Sequence, residues 1–391
     1  MAYQQDKLLT YIGRTNWRNT NRLFGIKRVD RRAHMYIVGK TGTGKSNLLQ
    51  TLVRQDIGHR EGLALIDPHG DLVDRLFASL PGTKRGEVIY FNVPDTARPL
   101  GFNPLAGVPA EKRPLAVGGV LDAFKKTWPD YWGVRLEHVL RNALFALFDE
   151  PGANLGDILR MFHDDAFRRR VASQTTNVQV QRFWLKEYPS YTPGMRKEAI
   201  APIQNKVGAF LADPRLRAIL TNTKTALDLR AVMDEGRVLL VNLAKGKLGE
   251  DAASLLGALL VSQIGFTGLC RADVSEEERR DFYLYVDEFQ TFTTLSFANM
   301  LSELRKYRVN LILAHQYLAQ LETEVRDAVL GNVGTIISFR VGPADARVLE
   351  KEFFDELCWV ELISLPNYHI YVRLMVDGGI SRPLSATTLK N

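Results

Sequence analysis

The sequence predicts an α/β protein with a mostly parallel sheet, interrupted by an all-helical insert. Three observations predict it. Short apolar runs rich in Val and Ile recur along both ends of the chain, several with helical patterns between them, as in a sheet covered on both faces. A glycine-rich turn, Gly39-Lys40-Thr41-Gly42-Thr43-Gly44-Lys45-Ser46, follows the first run and opens a helix. The stretch from 104 to 233 lacks this strand rhythm and reads as helices.

The first strand is expected over 34–38, after an N-terminal extension, 1–32. Beyond Ser46, the spacing of Leu48, Leu49, Leu52 and Val53 is helical. Further strands are expected at 63–66, 88–91, 238–243, 282–286, 309–314, 335–339 and 370–376. The core is thus split into 33–103 and 234–391, the latter with a C-terminal strand. In the insert, Leu136, Val139, Leu140, Ala143, Leu144, Leu147 and Phe148 mark one helix face. Pro151-Gly152 stops that helix, and Asn154 with Asp157 signals the next start. The arrangement is a RecA-like P-loop core with an inserted helical subdomain.

Bulk properties exclude several classes. Cys270 and Cys358 are the only cysteines, so neither a disulfide framework nor a zinc quartet is expected, and the compartment is expected to be cytoplasmic. The N-terminus is too polar for a secretory signal. The most apolar run, 255–270, is shorter than the ~20 residues of a spanning helix and reads as a buried helix. No transmembrane segment is expected in this chain.

Strand, glycine loop and helix in that order make a P-loop. Its backbone N–H groups converge on phosphate oxygens at a helix N-terminus. Lys45 is expected to reach the β- and γ-phosphates of a nucleoside triphosphate, and the Ser46 hydroxyl to ligate Mg²⁺. Much later, Tyr283-Leu-Tyr-Val-Asp287-Glu288 ends an apolar run with two carboxylates. Asp287 is expected to hold Mg²⁺ and Glu288 to activate the attacking water, although such a pair can also cap a helix. Gln316 ends the next strand, where it either senses the γ-phosphate or serves as a turn residue. Asp67 ends the strand after the P-loop helix, near the phosphates by topology, and a turn role in Asp67-Pro-His-Gly fits it as well.

The formal charge is +7, and nearly all the surplus lies in the insert, which has 19 Lys/Arg against 13 Asp/Glu. This suits a polyanionic partner gripped by its backbone rather than read by sequence. Candidate grips are Arg168–Arg170, Arg182, Lys186, Arg196 and Lys197, with Phe183, Trp184, Tyr188 and Tyr191 either as a stacking platform or as core. The glycine-basic loop Lys245-Gly-Lys247 is another.

The P-loop and VDEFQTF at 286–292, with LIDPHGDL at 65–72, GFNPL at 101–105, WGVRLEHVLRNAL at 132–144, FLADPRLRAIL at 210–220, LRKYRVNLILAHQ at 304–316 and GNVGTIISFRVG at 331–342, resemble the HerA/FtsK superfamily of ring-forming DNA motors. The likeness spans residues 33–376 and is nearest to the type IV secretion coupling proteins of conjugation. It implies an ATP-dependent DNA translocase, working as a homo-hexamer with ATP·Mg²⁺ sites between subunits. It also implies an arginine given in trans, at Arg305, with Arg308 and Arg340 as rival positions; Asp67 corresponds to an acidic residue near the family's active site. A relaxase, a nuclease or a secretion-channel protein would be the partner. A polypeptide-moving secretion ATPase and a nucleotide-switched scaffold for a nuclease or defence partner are the alternatives. Relatives carry an N-terminal β-barrel or membrane helices, where this chain has about thirty polar residues before the first core strand. Ring assembly is therefore expected to need DNA or a partner, and membrane attachment to be peripheral.

Overall fold

A computed structural model describes residues 8–97, 99–222 and 226–389. The chain divides into two compact units. The first comprises residues up to 90 together with 230–242 and 271–391; the second takes 91–229 and 243–270.

The first unit is built on one sheet. Its strands are β1 (Leu9–Thr15), β2 (Leu23–Lys27), β3 (Met35–Val38), β4 (Gly62–Asp67), β5 (Val88–Asn92), β6 (Val238–Asn242), β7 (Phe282–Val286), β8 (Val309–His315), β9 (Thr335–Ser338) and β10 (His369–Arg373). A separate two-stranded ribbon, β11 (Met375–Val376) with β12 (Gly379–Ile380), precedes the last strand, β13 (Leu384–Thr388). The order is β2-β1-β13-β10-β9-β3-β8-β7-β4-β6-β5. Neighbours from β9 to β6 run parallel, while the pairs among β2, β1, β13, β10 and β9 run antiparallel.

The parallel strands β3, β4, β7, β8 and β9 are buried at every position, which is why they read as mostly apolar runs without alternation. The helices Lys45–Gly58 and Asp71–Ser79 bury Leu48, Leu49, Leu52, Val53, Leu72, Val73 and Leu76 in the core that also holds Ile37, Leu65 and Ile312.

The edge differs from expectation. Residues 1–32 were expected to form an extension, yet β1 and β2 lie in this stretch and extend the sheet. Half-exposed antiparallel strands tolerate Tyr11, Arg14 and Lys27, so their composition carries little of the apolar signal that marks a buried strand.

The second unit is helical. Its helices include Arg113–Thr127, Val134–Asp149, Asp157–His163, Asp165–Gln174 and Glu250–Cys270. The last has 21 residues, longer than its apolar run suggested, and packs on Arg113–Thr127. By length and composition it could cross a membrane, but 83% of its most apolar stretch is buried within the protein.

Candidate active site

The nucleotide-site candidates lie in the first unit, and the P-loop, Asp67, Asp287, Glu288 and Gln316 sit at the carboxyl ends of the parallel strands, where α/β sheets gather ligands. The P-loop leaves β3 and hands over to the Lys45–Gly58 helix. Two glycines are required there by space and conformation. A Cβ on Gly39 would meet the Phe339 Cβ at 2.5 Å, and Gly44 takes φ +123° with the Tyr368 ring against it. The loop is pinned by bonds from Gly39 N–H to the His315 carbonyl (3.3 Å), Lys40 N–H to that of Arg340 (2.9 Å) and Tyr368 N–H to that of Thr43 (2.7 Å).

Lys45 is 6% exposed. Its ammonium donates to the Gly39 and Lys40 carbonyls at 2.5 and 3.2 Å. Burial lowers its pKa, and the charges of Asp287 and Glu288 oppose that fall.

Asp287 follows β7, its N–H donating to the Ile66 carbonyl of β4 at 3.1 Å. Burial, then the charges of Asp67 and Glu288, push its carboxyl up to about 7, against the pull of Lys45. A buried carboxylate crowded by two others favours a cation beside it. Ser46 Oγ, at the start of the helix, has no hydrogen bond among the described residues. Hydroxyl and carboxylate oxygens are a hard donor set, and Mg²⁺ characteristically takes one or two such protein ligands plus phosphates and water. No cluster of three or more His, Cys, Asp or Glu fit for a metal occurs among the described residues, so an all-protein cage is not on offer here.

Glu288 stands at φ +49°, ψ +47°, a left-handed conformation that costs a non-glycine residue energy. Its Oε1 accepts from Gln316 Nε2 and its Oε2 from Gln290 Nε2, each at 2.7 Å. Gln316 Oε1 in turn accepts from the Thr41 hydroxyl at 2.9 Å. One side chain thus joins the phosphate loop to the carboxylate. Gln290 lies inside the motif singled out by sequence, but no role was read for it; its offset of two from Glu288 was the available signal.

Asp67 is placed differently. One oxygen accepts from His69 N–H (2.9 Å), the other from Leu72 and Val73 N–H (2.9 and 3.1 Å). It secures the turn and the start of the Asp71–Ser79 helix, and its charge acts on Asp287.

Arg305 opens the short turn Arg305–Tyr307 ahead of β8. It is exposed, and its guanidinium has neither ion pair nor hydrogen bond among the described residues. Gln316 follows the other end of β8, seven residues long, hence roughly 23 Å away. Arg305 therefore cannot reach the site of its own chain. Of its rivals, Arg340 is engaged, donating to the Leu365 carbonyl and Asn367 Oδ1 at 3.0 Å each. Arg308 is half-buried, with its Nε enclosed.

In the helical unit, the stacking platform does not form. Phe183, Trp184 and Tyr188 are 1–2% exposed and pack on one another with centroids 4.9–6.1 Å apart. Arg168 is buried on Asp165 and the Met161 carbonyl, and Arg170 pairs with Glu150. In contrast, Gly246 and Lys247 are exposed, and Arg215 props the loop by donating to the Lys247 carbonyl at 2.9 Å.

Two family matches cover most of the chain. Residues 28–264, more than half of it, match the family described as the central domain of helicase HerA. Residues 281–351 match the TraM recognition site of TraD and TraG. Among curated proteins none matches by sequence. Among solved structures, the chain is similar to the bacterial conjugative coupling protein TrwBdeltaN70 in its unbound form, with TM-score 0.65 and 15% identity, over 98% of this chain and 90% of that one. The plasmid coupling protein TrwB with ADP and Mg²⁺ gives 0.64 and 16%, over 94% and 88%. VirB4 of Thermoanaerobacter pseudethanolicus gives 0.63 and 14%, over 99% and 97%. At such identities these structures speak to the fold, which is a RecA-like P-loop core. With its phosphate loop and paired carboxylates set at the ends of that sheet, the chain belongs to the HerA family of P-loop ATPases.

Proposed function

We propose that the chain is an ATP-driven DNA translocase acting as a ring of identical protomers, a hexamer by analogy with its superfamily, in conjugative transfer or related DNA processing. The observation that carries this is the Thr41–Gln316–Glu288 relay at one end of β8 combined with a free Arg305 at the other. A site with a base and a sensor, but no arginine of its own, is completed by a neighbour.

In this reading ATP lies on the P-loop, with Lys45 leaving the loop carbonyls for the β- and γ-phosphates. Ser46 and Asp287 would hold Mg²⁺, whose charge offsets that building on the phosphoryl oxygens. Glu288 takes the proton of the attacking water, and Gln316 registers the γ-phosphate. Asp67 fixes the loop beside Asp287. Arg305 stabilises the transition state of the adjacent protomer, tying hydrolysis to ring geometry. The Lys245–Lys247 loop would grip the DNA backbone without reading sequence. The TrwB likeness and the TraD/TraG match point to a relaxosome component as the protein partner, acting at the cytoplasmic side of a secretion machine.

The test is steady-state hydrolysis measured without nucleic acid, with single strands and with duplex. DNA should raise turnover; activity indifferent to DNA would favour a polypeptide-moving ATPase instead. Glu288→Gln should bind ATP and lose about 10²–10⁴ in kcat.

A further inference from the structure

Glu288 has two amide partners, and the two differ in what else they touch. Gln316 is connected to the phosphate loop through Thr41. Gln290 is connected to the core. It belongs to the turn Phe289–Thr291, whose Phe289 is fully buried, 4.9 Å from the His315 ring and 6.2 Å from Tyr36. The turn is closed by Thr291 N–H donating to the Glu288 carbonyl at 2.9 Å and by Thr293 Oγ1 donating to that of Phe289 at 2.8 Å. A carboxylate only accepts, so the Gln290 amide must turn its NH₂ to Glu288. That choice leaves Gln290 Oε1 buried without a partner among the described residues. An unmet buried acceptor is costly, and the bond to Glu288 persists in spite of it.

We propose that Gln290 is a positioning residue for water activation. It keeps the Glu288 carboxylate aimed through Oε2, while Gln316 is the exchangeable partner on Oε1. When Gln316 turns to the γ-phosphate, Oε1 is released to accept a proton. Water then gives that proton to Glu288, and its oxygen bonds to the γ-phosphorus. The bond from phosphorus to the bridging oxygen breaks, and ADP leaves with the electron pair. The left-handed backbone of Glu288 gives the carboxylate an uncommon direction, and Gln290 is the side chain of the same turn that holds it there.

This inference rests on Glu288 being the base, and the experiment separates the two ideas. Gln290→Leu keeps the volume and removes the donor. Its kcat should fall about tenfold, with the Kd for a fluorescent ATP analogue and the Tm unchanged. In a Glu288→Gln background the same substitution should cost nothing further. Gln290→Glu, isosteric but repelling Glu288, should lose more, and serves alone if the leucine variant does not fold. Normal kcat in both Gln290 variants, or a loss that appears in KM rather than kcat, or an equal loss in the Glu288→Gln background, would overturn the positioning role. Normal turnover in Glu288→Gln itself would instead remove the base assignment.

Discussion

The two ends of the parallel strands both bury charge, and they differ in how many cations face the carboxylates. At the amino ends, Arg28, Arg31 and Arg32 meet Asp56, Glu61 and Asp281 in matched numbers. Arg31 donates to both oxygens of Asp56 (2.6 and 2.8 Å), to Thr10 Oγ1 (2.9 Å) and to Tyr285 Oη (2.7 Å), and lies 3.8 Å over the Tyr283 ring. Arg32 grips Asp281 at 2.9 and 2.8 Å, and Arg28 donates to Glu61 at 2.7 Å. Burial pushes Asp281 up, but the Arg32 hydrogen bond and the Arg32 and Arg28 charges win, holding it below the usual range, whereas at Glu61 burial outweighs Arg28 and lifts the carboxyl to about 7. At the carboxyl ends, Asp287 and Glu288 share Lys45, and with the charge of Asp67 added Asp287 is driven up to about 7. Balanced burial is architecture, whereas unbalanced burial awaits a cation. The unpaired guanidinium of Arg305 stands at the arginine-rich end, one strand length from the crowded carboxylates, and in the proposed ring a second copy would bring it across.

The largest effect should come from removing that guanidinium. Arg305→Ala should lower DNA-stimulated kcat by about 10³-fold or more, the scale of arginines supplied in trans, with the monomer's Tm unaltered. The sharper form mixes Arg305→Ala with Glu288→Gln protein. Each should be nearly inactive alone, yet a mixed ring would contain intact sites, so part of the turnover should return on mixing. A wild-type rate for Arg305→Ala, or no recovery on mixing, would break the link between the two ends.

A smaller effect separates the ends by the sign of a stability change. Asp56→Asn leaves Arg31 buried beside a neutral partner and should cost about 3–5 kcal/mol. Asp287→Asn does the reverse. With its pKa raised from 3.8 to about 7, the folded protein binds a proton there that the unfolded chain has shed between those values. That group's contribution is therefore fully present at low pH and lost as pH rises through 7. At pH 8 the Asn variant should be stabilised, by at most about 4 kcal/mol, while hydrolysis is abolished. Denaturant titrations of both variants decide it; destabilisation in both would end the contrast.

What the sequence revealed follows the same division. The buried parallel strands and the P-loop were legible because burial on both faces and phosphate binding leave dense local signals at β3, β4, β7, β8 and β9. The strands β1, β2 and β13 were not, since antiparallel strands with a partly exposed face accept Arg14, Lys27 and Thr387 as readily as apolar residues. In the site, Lys45, Ser46, Asp287, Glu288 and Gln316 could be named in advance, because each ends a strand or starts the helix. Gln290 could not, because its bond to Glu288 depends on the left-handed turn between them. The aromatic cluster of Phe183, Trp184 and Tyr188 looked like a platform or a core, and only packing distinguishes those.

The smallest effect concerns how the Arg305 end is held. His34 Nδ1 accepts from Leu311 N–H at 3.1 Å, so Nε2 carries the hydrogen it donates to the Leu301 carbonyl at 3.0 Å. This neutral ring ties β8 to the Leu295–Leu304 helix that ends at Arg305. Burial lowers the His34 pKa from 6.5 to about 4, with the Arg305 charge adding to it against the Leu301 bond. Its contribution is thus whole above pH 6.5 and lost as pH falls toward 4, up to about 3 kcal/mol. His34→Gln, which cannot take up that proton, should be less stable at pH 8 and should flatten the fall in stability between pH 6.5 and 4. Arg305→Ala should make the same fall smaller and end it at higher pH, because one repulsive charge near the ring is gone and the His34 pKa rises toward 6.5. An unchanged acid limb in both variants would mean that His34 does not fix the position of Arg305, and the trans assignment would then rest on the mixing experiment alone.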